Sequence, residues 1–309
     1  MGMNRPITIG TRASKLALTQ AEMLRDALLA AHPGLEIRFA AMTTAGDREV
    51  QKDISQWGFK GLFTKELEDG LLDGRIDLAV HSTKDMPSVL PDGLIIAAIM
   101  ERADTRDAWV SQRHARLSEL PQGAVVGTSS TRRAAQLLHR RPDIRIVPFR
   151  GNVDTRLNKL LEGAAEGTFL AAAGLKRLGY DAHIRELIAP ELMLPAAAQG
   201  AICIECRAER ADVRALLAPI NHAPTATAIT AERAFLLALD GSCRTPIAAL
   251  AELDGGQIHL RGEVLSLDGR IRHADELRGA AADAERLGRE LGDELRAKAG
   301  EALLKQVQP

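Results

Sequence analysis

The sequence predicts an α/β protein: two doubly wound α/β domains around a cleft, followed by a small C-terminal α+β domain. Three observations predict it. Over the first two thirds, short apolar strands alternate with amphipathic helical stretches, which calls for mostly parallel sheets covered on both faces. That run occurs twice, separated by a polar stretch around 101–107. Over the last third the pattern changes to a helix, then strands joined by glycine turns, then a closing helix. A chain of 309 residues is long enough for several buried cores.

The first run opens on Ile7-Thr8-Ile9, a strand that ends in Gly10-Thr11-Arg12. Ser14 has the place of a helix N-cap, and Ala17, Ala21, Leu24, Leu28 and Ala31 follow at helical spacing until Pro33-Gly34. Glu36 to Met42 reads as a strand. Thr43 to Gly61 is polar, glycine-containing and weakly periodic, a loop whose length marks either a functional lid or a disordered segment. Leu62 to Leu72 is helical, and Ile76 to Val80 is an apolar strand opening onto His81-Ser82-Thr83-Lys84-Asp85.

In the second run, Ala124 to Val126, Ile144 to Pro148 and Phe169 to Ala173 read as strands. Ser130 to His139 and Val153 to Glu162 read as the helices between them. The last third begins with a helix over Thr225 to Leu239. Strands then flank Asp254-Gly255-Gly256, and Asp268-Gly269 marks a hairpin. On the second strand Ile258, Leu260 and Val264 alternate with His259, Arg261 and Glu263. Leu287, Leu291 and Leu295 line the closing helix.

Composition narrows the function. Forty basic residues against 41 acidic ones give a net charge of −1, which disfavours a globally basic nucleic-acid binder but allows a local basic cleft. No apolar run reaches the ~20 residues that span a bilayer, and MGMNRPITIG lacks a secretion signal's apolar segment. A cytoplasmic protein with no membrane or nucleic-acid partner is expected. The cysteines are Cys203, Cys206 and Cys243, too few and too scattered for a disulfide framework. Cys203 and Cys206 sit on an apparent strand, where residues three apart face opposite sides, so packing is expected of them rather than redox or zinc chemistry.

The strand ends carry the chemistry. Gly10 to Ser14, His81 to Asp85, Gly127 to Arg133 and Arg150 to Arg156 each follow a strand with hydroxyl and basic residues. Ligands of open α/β sheets bind beyond such ends, where helix N-termini favour anions and arginine captures carboxylates. The ligand implied is a polyanion. No phosphate-binding P-loop string is present. Asp85 is either a carboxylate placed where positive charge or a proton develops, or a capping aspartate. Cys243, between Gly241-Ser242 and Arg244-Thr245-Pro246, is either a nucleophile or covalent anchor, or a structural cysteine.

At these residues the chain resembles the porphobilinogen deaminases from end to end. Gly58 to Glu68, His81 to Pro87, Gly127 to Arg133, Arg150-Gly151-Asn152, Ala173 to Gly179, Gln199-Gly200-Ala201 and Gly241 to Pro246 carry the likeness. It implies three domains, the first two arranged as in periplasmic binding proteins: 1–101 with 198–219, 102–197, and 220–309. It also implies a dipyrromethane cofactor joined by a thioether to Cys243, a catalytic Asp85, no metal, and a monomer acting on porphobilinogen. By the same resemblance Ser82, Lys84, Thr128, Ser129, Arg132, Arg133, Arg150 and Gly151 bind the cofactor. Arg12, Ser14, Gln20, Lys60, Phe63, Arg150, Arg156, Arg177 and Gln199 bind substrate or the growing chain.

The sequence departs from the family pattern at Lys15 for proline, Thr83 for methionine, Thr131 for leucine, and Ala198 and Ser242 for glycine; none removes a charged or nucleophilic group. A solute-binding protein closing over a polycarboxylate would share the α/β pair, since fold does not fix function. The extra domain with Cys243 and the lack of a signal segment count against it. A cysteine hydrolase needs a histidine base, and neither His222 nor His259 sits in a motif that supplies one.

Overall fold

The computed structural model describes residues 5–44, 64–239 and 246–307. In chain order the strands are β1 (Ile7–Arg12), β2 (Ile37–Met42), β3 (Leu78–Ser82), β4 (Leu94–Ile99), β5 (Asp107–Ser111), β6 (Val125–Gly127) and β7 (Arg145–Val147). They continue with β8 (Gly167–Ala171), β9 (Glu186–Leu187), β10 (Ile202–Arg207), β11 (Ile247–Asp254), β12 (Gln257–Leu265) and β13 (Arg272–Ala280). The described α-helices are α1 (Lys15–Ala31), α2 (Lys65–Leu72), α3 (Thr131–Arg140), α4 (Val153–Leu161), α5 (Ala172–Arg177), α6 (Ala211–Leu217), α7 (Ala223–Ala238) and α8 (Ala284–Val307), the last interrupted at Gly300. Two compact units contain them: Met1–Ala103 with Ala201–Ala226, and Asp104–Gly200 with Thr227–Pro309.

The first unit holds a five-stranded sheet of order β2-β1-β3-β10-β4. β1 runs parallel to β2 and β3, whereas β10 runs antiparallel to β3 and β4. Alternation along the strands sorts the two faces. Ile7, Ile9, Leu78, Val80, Ile202, Ile204 and Cys206 pack under Leu24 and Leu28 of α1 and Val213 and Leu217 of α6. Ala79 faces the other way, beneath Leu67 and Leu71 of α2. Each fully buried leucine in these layers contributes about 1.5–3 kcal/mol relative to exposure.

The second unit repeats the plan with a sheet of order β7-β6-β8-β5-β9. β6 is parallel to β7 and β8, and β5 is the reversed strand. Trp109 and Phe169 face Leu137 of α3, while Ala108, Val110 and Leu170 face Leu157 of α4 and Leu175 of α5. This unit also holds the antiparallel sheet β11-β12-β13, whose inner face packs on Ala231 and Phe235 of α7 and Leu287, Leu291 and Leu295 of α8. Its other face meets the preceding chain: Ala248 and Leu250 pack on Leu194, and His139 of α3 bonds to the Gly269 carbonyl at 2.8 Å. Glu263, opposite Ala248 on that other face, is buried and paired with Arg272 at 2.8 Å. Burial raises its pKa against the pull of Arg272.

Several local expectations need correction. β4 and β5 fall where the sequence shows no clean alternation: Leu94–Ile99 is apolar throughout, and β5 opens on a charged residue, Asp107, within the polar stretch. Ala172 and Ala173 belong to α5, six residues long and continuous with β8, so they mimic more strand. Each large sheet is mixed, with one reversed strand. Those strands are the first after the first two passages of the chain from one unit to the other. Cys203 and Cys206 are buried on β10, and burial pushes the Cys206 thiol up to about 11. The expected lid over Thr43 to Gly61 lies outside the described residues beyond Thr44. Among the described residues no helix is long and apolar enough to cross a membrane, and no cluster of His, Cys, Asp or Glu is placed to hold a metal ion.

Candidate active site

In the first unit the site residues gather at the ends of β1 and β3. Ser14 caps α1, its hydroxyl accepting the Ala17 amide at 3.4 Å, so the helix N-terminus opens beside Arg12. Gln20, one turn further on and buried, donates to Ser82 Oγ at 2.9 Å and thereby ties α1 to the end of β3. A single 3₁₀ turn, Thr83–Asp85, follows. Its first residue is buried, with its amide donating to the Ala201 carbonyl at 3.1 Å. Lys84 and Asp85 stand half-buried at the end of the sheet.

Beneath that turn lie groups that sequence reasoning missed. His81 Nε2 lies 3.0 Å from Glu205 Oε2, both side chains being buried. Glu68 of α2 is also buried, and desolvation together with the nearby Glu205 charge raises its pKa.

In the second unit, β6 ends at Gly127, where a Cβ would lie 2.4 Å from the Phe149 ring. No side chain fits there, and the loops 128–130 and 149–152 adjoin. Ser129 Oγ accepts the Phe149 amide at 2.9 Å, and Thr128 donates its amide to the Val147 carbonyl at 3.0 Å. Ser130 caps α3 and Asn152 caps α4, so two helix N-termini open at this end. Gly151 has φ +122°, which favours glycine, and Arg156 Nε donates to its carbonyl at 2.8 Å. Arg150 is held through its own carbonyl by Lys159 Nζ at 3.0 Å.

Arg132 and Arg133 turn toward Asp107, also missed in the sequence. Arg132 Nη2 is 2.8 Å from Oδ2, Arg133 Nη2 is 2.6 Å from Oδ1, and Arg133 Nη1 donates to the Phe169 carbonyl. Burial pushes the Asp107 carboxyl up, but the two guanidinium groups outweigh it and hold its pKa well below the usual range. Gln199 joins them, donating to Asp107 Oδ1 at 3.0 Å and to the Thr105 carbonyl at 2.8 Å. Two cations share one carboxylate, so this knot keeps a positive charge.

Arg177, at the end of α5, donates Nη2 to the Gly200 carbonyl at 2.7 Å, and its Nε is buried with no hydrogen-bond partner. Burial lowers its pKa to about 10. A half-buried guanidinium with a buried, open donor suits a carboxylate ligand. The donor set thus fits a dipyrromethane bearing acetate and propionate groups. Lys60, Phe63 and Cys243 lie outside the described residues. Asp107 and Glu205 were illegible because each takes its meaning from partners remote in sequence.

Comparison with known proteins agrees along the chain. Residues 7–215 match the family model "Porphobilinogen deaminase, dipyromethane cofactor binding domain", and residues 226–297 match "Porphobilinogen deaminase, C-terminal domain". A porphobilinogen deaminase of Paracoccus denitrificans (strain Pd 1222) is 54% identical over 297 residues, 95% of each chain. One from Roseiflexus sp. (strain RS-1) is 52% identical over 302 residues, 98% of this chain and 99% of the relative. A nutrient-binding protein from Burkholderia cenocepacia, bound to methionine, superposes with a TM-score of 0.44 and 13% identity, covering 69% of this chain and 91% of that one. With both family models matched and more than half of the residues shared with full-length relatives, the chain belongs to the porphobilinogen deaminase family.

Proposed function

We propose that this protein joins four porphobilinogen molecules head to tail, with release of ammonia, into hydroxymethylbilane on a dipyrromethane primer tethered to Cys243 by a thioether. The family match over nearly the whole chain carries the reading. The buried, open donor of Arg177 supports it from the geometry. We assign three functional parts, 1–101 with 198–219, 102–197 and 220–309, a reading supported by three separate sheets. The enzyme works as a cytoplasmic monomer.

When bound, the dipyrromethane supplies the nucleophilic pyrrole carbon from which the product grows. The chain's own residues do the rest. Each porphobilinogen brings an acetate and a propionate, so the cleft needs cations in number. Ser82, Lys84, Thr128, Ser129, Arg132, Arg133, Arg150 and the Gly151 backbone hold the primer's carboxylates. Arg12, Ser14, Gln20, Lys60, Phe63, Arg150, Arg156, Arg177 and Gln199 serve the incoming substrate and the lengthening chain. Asp85 accepts pyrrole N–H bonds, stabilises the positive charge left on the substrate as ammonia departs, and accepts or relays the proton lost on coupling. One such preorganised group is worth roughly 3–4 kcal/mol in the transition state.

Intact-protein mass spectrometry with peptide mapping tests the anchor. A mass excess of two linked pyrrole units on the Cys243 peptide, absent from Cys243→Ala, is the expected result. An unmodified Cys243 after incubation with porphobilinogen, without ammonia release, would leave a solute-binding protein as the better reading.

A further inference from the structure

The end of β3 rests on a buried group of ionisable side chains that the proposed chemistry does not use. β3 and β10 pair antiparallel, with His81 opposite Cys203 and Ala79 opposite Glu205. Residues directly opposite share a face, and residues two apart on one strand share it too, so His81 and Glu205 form a diagonal cross-strand pair. Their 3.0 Å contact follows from that register. The same face is covered by α2, whose Leu67 and Leu71 pack on Ala79. Glu68 comes from the same helix and is buried.

This group is short of partners. Glu68 Oε1, Glu205 Oε1 and Thr83 Oγ1 are all buried without a hydrogen-bond partner. The charges acting on the Glu68 carboxyl come from Glu205 on β10, His81 on β3 and Asp69 on α2 itself. Two carboxyl groups and one imidazole thus lie in one desolvated layer, where each polar atom depends on its few protein partners for compensation. His81 is followed at once by Ser82 and the Thr83–Asp85 turn, and Thr83 is fixed by the Ala201 carbonyl, one residue before β10.

We propose that Glu68, His81 and Glu205 are positioning residues for the reaction: a buried polar unit that fixes the end of β3 and, through it, Lys84 and Asp85. The inference rests on the reading of Asp85 as the catalytic carboxylate. Loss of the His81–Glu205 contact loosens the end of β3 and moves Asp85 relative to substrate. Displacements of about 1 Å at a reacting group cost up to ~100-fold in rate.

The test uses the full-length holoenzyme and the variants Glu205→Gln, Glu68→Gln, His81→Gln and the double variant His81→Gln/Glu205→Gln, with Asp85→Ala alongside. Mass spectrometry checks cofactor loading, and thermal unfolding checks the fold. For Glu205→Gln, kcat is expected to fall about 10–100-fold with KM unchanged within roughly twofold. The double variant restores a neutral hydrogen-bonded pair and recovers part of the loss, the non-additivity of coupled sites. Glu68→Gln, which keeps the shape of the side chain, is expected to lower kcat about 3–10-fold with KM unchanged within roughly twofold. A loaded, folded Glu205→Gln enzyme with kcat within roughly twofold of the parent overturns the proposal, and so does a double variant no more active than Glu205→Gln alone. If Asp85→Ala turns over near normally, the Asp85 assignment fails and the proposal with it. If Asp85→Ala is inactive while the other variants behave as the parent, the positioning unit alone fails.

Discussion

Arg133 donates both Nε and Nη2 to a single oxygen of Asp107, at 3.1 and 2.6 Å, inside the second unit. Arg132 pairs with the other oxygen, so one carboxylate organises the first turn of α3 and, through Gln199, the chain just before it leaves the unit. Removing that charge leaves buried guanidinium groups uncompensated. Asp107→Asn is expected to cost about 3–5 kcal/mol, read as a lower urea midpoint at unchanged m-value. The pH dependence has a fixed sign. Because the folded pKa lies below the usual carboxylate range, the contribution is complete above that range and disappears as pH falls through the folded value. The parent therefore loses its advantage over Asp107→Asn in acid.

Arg177 should behave in the opposite way. Its guanidinium is half-buried, has no ion pair among the described residues and has its pKa lowered to about 10 by burial, so folding works against its charge. Arg177→Gln is expected to leave the melting temperature unchanged or higher while raising KM for porphobilinogen about 10–100-fold, the loss of a charge-assisted bond of ~1.5–3 kcal/mol. A variant that unfolds readily at unchanged KM would mark Arg177 as structural.

Ala198 has φ 63°, alone among the described non-glycine residues in having a positive φ. Its amide donates to Glu232 Oε2 at 2.5 Å, and the other oxygen of that buried carboxylate accepts the Ala251 amide at 2.7 Å. Left-handed backbone costs a residue with a Cβ about 1–2 kcal/mol, partly offset by the greater unfolded-state freedom of glycine. Ala198→Gly is expected to stabilise the protein by roughly 0.5–1 kcal/mol. Equilibrium unfolding in urea checks it; a destabilised variant would show that the clamp relieves the strain.

The buried cysteines give a chemical check. The Cys206 thiol, pushed up to about 11 by burial, and the buried Cys203 should resist alkylation in the native state. In Cys243→Ala, a thiol reagent at pH 8 is expected to label neither until denaturant is added. Fast labelling of either would mean that β10 opens readily.

Local signals carried much of the fold. The cap at Ser14 and the spacing of Ala21, Leu24 and Leu28 delimit α1, because one face of one helix suffices to show it. Glycine turns delimit β11 and β12 for the same reason. The strand ends also advertised their polar residues, since hydroxyl and basic side chains after an apolar run have few other uses. β4 and β5 stayed hidden: one is apolar throughout and the other starts on a buried charge. The site was legible where its residues are consecutive and illegible where they meet across the fold. Arg133 and Asp107 are 26 positions apart, His81 and Glu205 are 124 apart, and nothing local at Glu205 marks it as buried.

The place of β10 between β3 and β4 bears on the order in which the protein acquires structure during synthesis. β4 leaves the ribosome about 100 residues before the strand it bonds to, which at elongation rates of about 5–20 residues/s is a wait of roughly 5–20 s. All five strands of the other large sheet lie in one stretch from Asp107 to Leu187 and emerge within that interval. The N-terminal sheet is thus the later of the two to close. Until residue 207 is translated, β3 and β4 present unpaired edges, and the nascent chain is most exposed to misassociation in that window.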